Sequence, residues 1–143
     1  MPGVPRILEL VVACLLLYSG LLHLSNPYLF ANAIAAYRLL PLSLLAVVPF
    51  VLPQMMLVLA VCLISQRYVT TARLGAAILF ATFAVAQATA WLAGNNIGCG
   101  CFGYANEPIS PTSIAIPVLC AAVCAVLLWR SDALLSQRIR PET

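Results

Sequence analysis

Charge is scarce in this sequence. Asp, Glu, Lys and Arg make up only 8% of the 143 residues, whereas they make up about a quarter of a soluble domain. Lysine is absent, so the net charge of +3 arises from seven arginines set against four acidic residues. So little charge excludes a soluble globular domain, and scattered arginines do not form the basic patch of a nucleic-acid-binding protein.

Apolar side chains are what the sequence has in abundance. They make up 64% of the chain, and the mean hydropathy is +1.05. Four apolar runs cover residues 7–24, 42–64, 74–93 and 111–129, and each can cross roughly 30 Å of hydrocarbon as a helix. No signal-peptidase site follows the first run, so we interpret it as a retained span. We predict an all-α integral membrane four-helix bundle, with residues 1–143 as a single domain in the lipid bilayer.

The segment between the first two runs, residues 25–41, is too apolar for a free loop and too polar for a span. Its apolar residues at 29, 30, 33, 34, 37 and 40 follow helical spacing. We therefore predict a short interfacial helix between spans 1 and 2, lying on the membrane surface over one end of the bundle.

The arginines predict the orientation of the chain. With four spans, six of the seven arginines fall on one side of the membrane and only Arg38 falls on the other. Because cytoplasmic loops carry the excess of basic residues, we predict a bacterial inner-membrane protein with both termini in the cytoplasm. Residues 94–110 then face the periplasm, where thiols can be oxidised.

Two prolines and two glutamines interrupt the apolar character of the second and third predicted spans. Pro49 and Pro53 predict a bend in the second span, since proline removes a backbone donor. Gln54 and Gln87 are polar residues at membrane depth, so we expect both to face the bundle interior, as interhelical hydrogen-bonding groups or as part of a ligand pocket.

The sharpest motif is a pair of cysteines one residue apart, Cys99 and Cys101, set among Gly98, Gly100 and Gly103. Three interpretations fit this pair. It can exchange thiols with a disulfide partner, form a static and easily reduced bridge within a tight turn, or hold a soft metal such as Cu(I). Zinc is the weakest metal interpretation, because only His23 and Glu107 could complete four ligands on that side.

The other candidate residues are His23, Cys120 and Cys124. His23, at the outer end of the first span, is either an interfacial side chain hydrogen-bonded in the headgroup region or a cation that favours the thiolate of Cys99 or Cys101. Cys120 and Cys124 share one face of the fourth span. They are interpreted as small packing residues, with a second, membrane-embedded dithiol as the alternative.

Several segments together resemble the MauE family, the methylamine utilisation membrane proteins related to DoxX. The matching stretches are GLLHL at residues 20–24, NP at 26–27, YRLLP at 37–41 and CGCFG at 99–103. The resemblance implies a four-helix bacterial inner-membrane protein that works with a thioredoxin-like partner in maturing the disulfide-rich small subunit of methylamine dehydrogenase. It also implies that Cys99 and Cys101 are the exchange pair.

The leading hypothesis is thus an inner-membrane thiol-disulfide exchange component that acts on a periplasmic thioredoxin-like or substrate protein. As an enzyme it would be a disulfide oxidoreductase. One alternative is a non-enzymatic scaffold or assembly subunit in which CGCFG is a structural turn. The other is a soft-metal binder or transporter. No resident cofactor is predicted: a quinone suits membrane redox chemistry, but no specific motif indicates its pocket.

Overall fold

A computed structural model describes residues 3–37, 41–94 and 110–139, and this part of the chain forms six helices and no strand. The helices are α1 (Gly3–Ser25), α2 (Pro27–Ala36), α3 (Leu42–Leu45), α4 (Val48–Ser65), α5 (Val69–Leu92) and α6 (Pro111–Ile139). Four of them, α1, α4, α5 and α6, are long and apolar enough to cross a membrane. The predicted all-α membrane bundle is confirmed.

The four long helices form a ring. α1 packs along α4 and α5 packs along α6, while fewer contacts between α4 and α5 and between α1 and α6 close the ring. α1 and α5 therefore face each other across the centre. The buried core there consists of Val12, Ala13, Leu16, Met56, Ala60, Leu63, Ala72, Ala76, Leu79, Phe80, Cys120 and Cys124. Apolar side chains also cover the outside of the ring, as a lipid-facing surface requires.

The two ends of the ring carry different segments, and we call them the terminal end and the loop end. The terminal end holds the start of α1, the α4–α5 turn and the part of α6 near Ser131. The loop end holds α2, the end of α5 and the start of α6. α2 is the short helix predicted between the first two spans, and it packs on α4 and α1 through its buried residue Phe30.

The second predicted span, residues 42–64, is divided in the structure. A turn at Ala46 and Val47 separates α3 from α4. Pro49 lies in the first turn of α4, where its missing N–H breaks no hydrogen bond. Both prolines therefore lie within α4, as expected. Pro49 lies at the helix start, where it does not bend the helix, and Pro53 lies inside the helix.

The other three long helices extend beyond the predicted spans. α1 begins at Gly3, α5 begins at Val69, and α6 continues to Ile139. These extensions contain arginine, serine and threonine, which end an apolar run without ending a helix. The α4–α5 turn is short: Gln66 and Tyr68 both have left-handed backbone conformations, with φ of 57° and 56°, a strained arrangement for residues other than glycine.

Gly20 allows the close approach of α1 to α4. A Cβ atom on Gly20 would lie 3.1 Å from Leu57 Cδ2 and 3.2 Å from the Pro53 carbonyl oxygen. We expect Gly20→Leu to lower the free energy of unfolding by about 1 to 3 kcal/mol through overpacking, measured by denaturation of the purified protein in detergent. Cys14→Leu places the same side chain on the exposed side of α1 and should be close to neutral. Equal effects of both substitutions would contradict this packing.

Candidate functional site

Three polar side chains are buried toward the loop end of the bundle. Ser19 and His23 lie one turn apart on the inner side of α1, and Gln87 lies on α5, the helix diagonally opposite; their exposures are 5%, 4% and 1%. Buried polar groups in a membrane bundle face protein rather than lipid and are associated with function. The prediction that Gln87 faces the interior is confirmed.

The imidazole of His23 stacks on an aromatic ring of α2. The imidazole and the Phe30 ring lie with centroids 3.9 Å apart and an angle of 15° between their planes. Phe30 therefore covers the imidazole, and the expectation of a histidine among lipid headgroups is wrong. The proposed influence of His23 on Cys99 or Cys101 stays a prediction.

This stack predicts that Phe30 fixes α2 to the bundle. Phe30→Ala should release α2 and increase the rate of trypsin cleavage at Arg38 in the purified protein, because a buried Phe→Ala substitution costs about 3 to 5 kcal/mol. Leu29→Ala is the matched control, since Leu29 is 51% exposed on the same helix. Equal cleavage rates for the two variants would show that Phe30 does not hold α2.

A small cavity lies next to Ser19, deeper in the bundle. It is lined by Leu15, Leu16, Ser19, Met56, Phe80, Phe83 and Pro117, and its volume is about 10 Å³. That is room for at most about one water molecule. This cavity is too small for a quinone ring.

Gln54 does not face the interior, contrary to the prediction. The buried side of α4 is formed by Pro49, Pro53, Met56, Ala60 and Leu63, and Gln54 is exposed on the outside of the bundle. Periodicity could not show this, because both sides of α4 are apolar and the helix has no polar face to fix its rotation.

The cysteines of the spans occupy different environments. Cys120 and Cys124 are buried free thiols in the core on α6, an environment that agrees with packing by small residues. Cys14 is an exposed free thiol on the outer side of α1, and Cys62 is a partly buried one on α4.

Cys99 and Cys101 lie outside the described residues, as do Arg38 and Glu107. We call residues 95–109 the cysteine segment, and the structure describes the helix ends on either side of it. At the end of α5, Gly94 has a left-handed φ of 70° and its N–H donates to the Trp91 carbonyl at 3.0 Å, as is common for a glycine that ends a helix.

The start of α6 is fixed by a reciprocal cap. The Ser110 N–H donates to Ser113 Oγ at 2.9 Å, and the Ser113 N–H donates to Ser110 Oγ at 3.3 Å, an arrangement like a capping box. Both ends of the cysteine segment are thus held by helix caps at the loop end, the end that carries His23 and α2.

A second polar cluster at the terminal end was missed by sequence reasoning. Its centre is the Glu9 carboxylate, which is 3% exposed. Arg73 donates to Glu9 Oε1 through both Nε and Nη2. Gln66 Nε2 donates to Glu9 Oε2 at 2.9 Å, and Arg6 Nη1 donates to the same oxygen at 3.3 Å. The carboxylate is therefore fully hydrogen-bonded.

The two arginines extend this cluster to all four spans. Arg6 donates to the Leu63 and Ile64 carbonyls at the end of α4 at 2.9 and 2.6 Å. Arg73 donates to the Leu127 carbonyl at 3.3 Å and to Ser131 Oγ at 3.2 Å on α6. We call Arg6, Glu9, Gln66, Arg73 and Ser131 the Glu9 cluster. It joins α1, α4, α5 and α6 at one end of the ring.

The sequence contained a signal for the Glu9 cluster. Glu9 lies inside the first apolar run, and an ionisable residue within a span calls for a partner inside the bundle. The prediction of orientation uses Arg73 only as a charge next to the third run. Combining the two would have predicted a buried ion pair between α1 and α5, although not its other members, because Gln66 and Ser131 are ordinary polar residues near span ends.

The architecture defines a multi-pass helical membrane protein with four candidate spans and a capping helix. The family model described as methylamine utilisation protein MauE matches residues 1–130. The chain therefore belongs to the MauE family, which confirms the resemblance drawn from its motifs. No curated protein and no solved structure matches the chain.

Proposed function

We propose that this protein is a membrane thiol-disulfide exchange component in which Cys99 and Cys101 are the reacting pair. The observation that carries the proposal is the dithiol sequence CGCFG in a segment whose two ends are capped at the loop end of the bundle. Family membership supports a role associated with methylamine utilisation. The proposed partner is a thioredoxin-like protein or the disulfide-rich subunit of methylamine dehydrogenase.

The exchange consists of two thiolate attacks. One cysteine thiolate attacks a sulfur of the partner's disulfide, which forms a mixed disulfide and releases one partner thiolate. The second cysteine then attacks its neighbour's sulfur in the mixed disulfide, which forms the Cys99–Cys101 disulfide and releases the reduced partner. Two electrons pass to the partner. The reverse sequence oxidises a partner dithiol and leaves Cys99 and Cys101 reduced.

The charge distribution supports the proposed location of the reaction. Arg6, Arg67, Arg73 and Arg130 all belong to the terminal end, which supports a cytoplasmic position for that end. The cysteine segment then faces the periplasm of a bacterial inner membrane, where a disulfide partner is stable. The buried His23 at the same end is proposed to favour the thiolate of one of the two cysteines.

Thiol trapping in cells tests this proposal. Cys99→Ser and Cys101→Ser should differ, because the variant that keeps the attacking cysteine accumulates a mixed disulfide with a periplasmic protein, visible as a reducible adduct after acid quenching and alkylation. Cys14→Ser, which changes a lipid-facing thiol, is the control and should trap nothing.

Each alternative function has its own outcome in this experiment. If Cys99 and Cys101 never change redox state and neither variant traps a partner, the exchange function is wrong and a structural turn in a scaffold protein takes its place. A stoichiometric soft metal in the untreated protein, lost in both serine variants, would identify a metal binder instead.

A further inference from the structure

The outer side of α4 carries a polar group that faces the lipid. Gln54 is exposed near the middle of α4, a helix long enough to span the membrane. Within the described part of the chain, no group donates to or accepts from its amide. A primary amide has two donors and an acceptor, and hydrocarbon offers partners to none of them.

Other polar side chains on the lipid-facing surface satisfy their hydroxyls within their own helix. On α5, Thr82 Oγ1 donates to the Ile78 carbonyl and Thr89 Oγ1 donates to the Ala86 carbonyl, both at 2.8 Å. Gln54 makes no such bond. Its amide therefore needs a partner from outside this bundle.

The surface around Gln54 suits helix association. On α4, Val51, Val58 and Val61 are 54%, 61% and 57% exposed, and Val47 in the turn directly before α4 is 54% exposed. With Gln54 they follow the 4-3-4-3 spacing of one side of a helix. We call these five residues the Gln54 seam. β-branched side chains have few rotamers to lose on packing, so the valines of the seam offer a rigid surface on either side of Gln54.

We propose that the Gln54 seam is the contact between two copies of this chain, with the two Gln54 amides hydrogen-bonded to each other. Two copies inserted in the same orientation are related by a two-fold axis along the membrane normal, which places Gln54 opposite Gln54 at the same depth. The amide is self-complementary, since each supplies a donor and an acceptor. A different membrane protein would need its own polar group at this depth.

The oligomeric state of the full-length protein in lipid nanodiscs or liposomes of varied protein-to-lipid ratio tests the proposal. The wild-type chain should form dimers, and Gln54→Leu should weaken dimerisation by roughly tenfold, as expected for one or two interhelical amide hydrogen bonds. Val58→Phe should also weaken it by disturbing the packing of the seam. Val85→Phe is the matched control, because Val85 is 63% exposed on α5, and it should leave the dimer unchanged.

Photocrosslinking in cells from a reactive amino acid at position 51 identifies the protein that contacts the Gln54 seam. An adduct of twice the chain mass supports the proposal, and an adduct with a different protein overturns it. The proposal is also overturned if the wild-type chain stays monomeric at every protein-to-lipid ratio, or if Gln54→Leu leaves dimerisation unchanged. The outcome does not depend on the thiol chemistry of Cys99 and Cys101.

Discussion

Replacing Glu9 with alanine is expected to lower the free energy of unfolding by about 3 kcal/mol, the lower end of what removing one partner of a buried ion pair costs. Without the carboxylate, the Arg73 guanidinium, with 14% of its side chain exposed, keeps only the Leu127 carbonyl and Ser131 as partners. We do not expect a larger loss, because Glu9 lies only about 8 Å along the helix axis from Val4, near the start of α1. The unpaired Arg73 side chain can therefore extend toward the membrane surface at the terminal end of the bundle.

Two further variants show whether the ion pair itself is responsible. The double variant Glu9→Met with Arg73→Met should be more stable than Glu9→Ala, because it also removes the buried Arg73 charge. Arg6 loses its bond to Glu9 in both variants, so its contribution cancels in the comparison. Arg130→Ala removes a charge from an exposed residue near the same end and should change stability by less than about 0.5 kcal/mol. Reversible unfolding in mixed micelles measures all of them. If Glu9→Ala behaved like Arg130→Ala, the cluster would not stabilise the fold.

The second large effect concerns the cysteines. The double variant Cys99→Ala with Cys101→Ala should reduce single-turnover exchange to the background rate seen without protein. The measurement is the reduction of a disulfide-containing peptide by the pre-reduced protein in proteoliposomes. Each turnover converts the peptide disulfide to two thiols and the protein dithiol to a disulfide, so removal of the dithiol removes the reductant.

The matched control is the buried cysteine pair of α6. Cys120→Ala with Cys124→Ala removes two core thiols and should cost about 1 to 2 kcal/mol of stability through small cavities, while the exchange rate stays within about twofold of wild type. Loss of exchange in this variant, with exchange retained in the Cys99 and Cys101 variant, would assign the chemistry to the buried pair.

The membrane setting explains which parts of the fold the sequence predicts well. The four spans follow from run length, because a helix needs about 20 apolar residues to cross hydrocarbon. α2 follows from its helical spacing and intermediate polarity. The rotation of each helix does not follow, because lipid-facing and core-facing sides are equally apolar. Gln54 and Gln87 therefore cannot be distinguished in the sequence, although Gln54 lies on the outer side of α4 and Gln87 lies on the core-facing side of α5.

The candidate site divides in the same way. Cys99 and Cys101 are recognised from their spacing and their glycines, a local signal that needs no knowledge of packing. The burial of His23 under Phe30 and the joining of Glu9 to Arg73 depend on contacts between distant segments, and a single sequence gives no direct measure of these. The ionisable residue within a span was the one usable hint of the second contact.

The short turn from Gln66 to Tyr68 has a consequence for biogenesis. With only three residues between them, α4 and α5 form a tight helical hairpin, so the position of one in the bilayer restricts the position of the other. α1 is synthesised before α4 and α5, so Glu9 has no Arg73 to pair with until the hairpin is inserted. The contacts of the Glu9 cluster with Gln66 and Arg73 can therefore form only after the hairpin has been inserted.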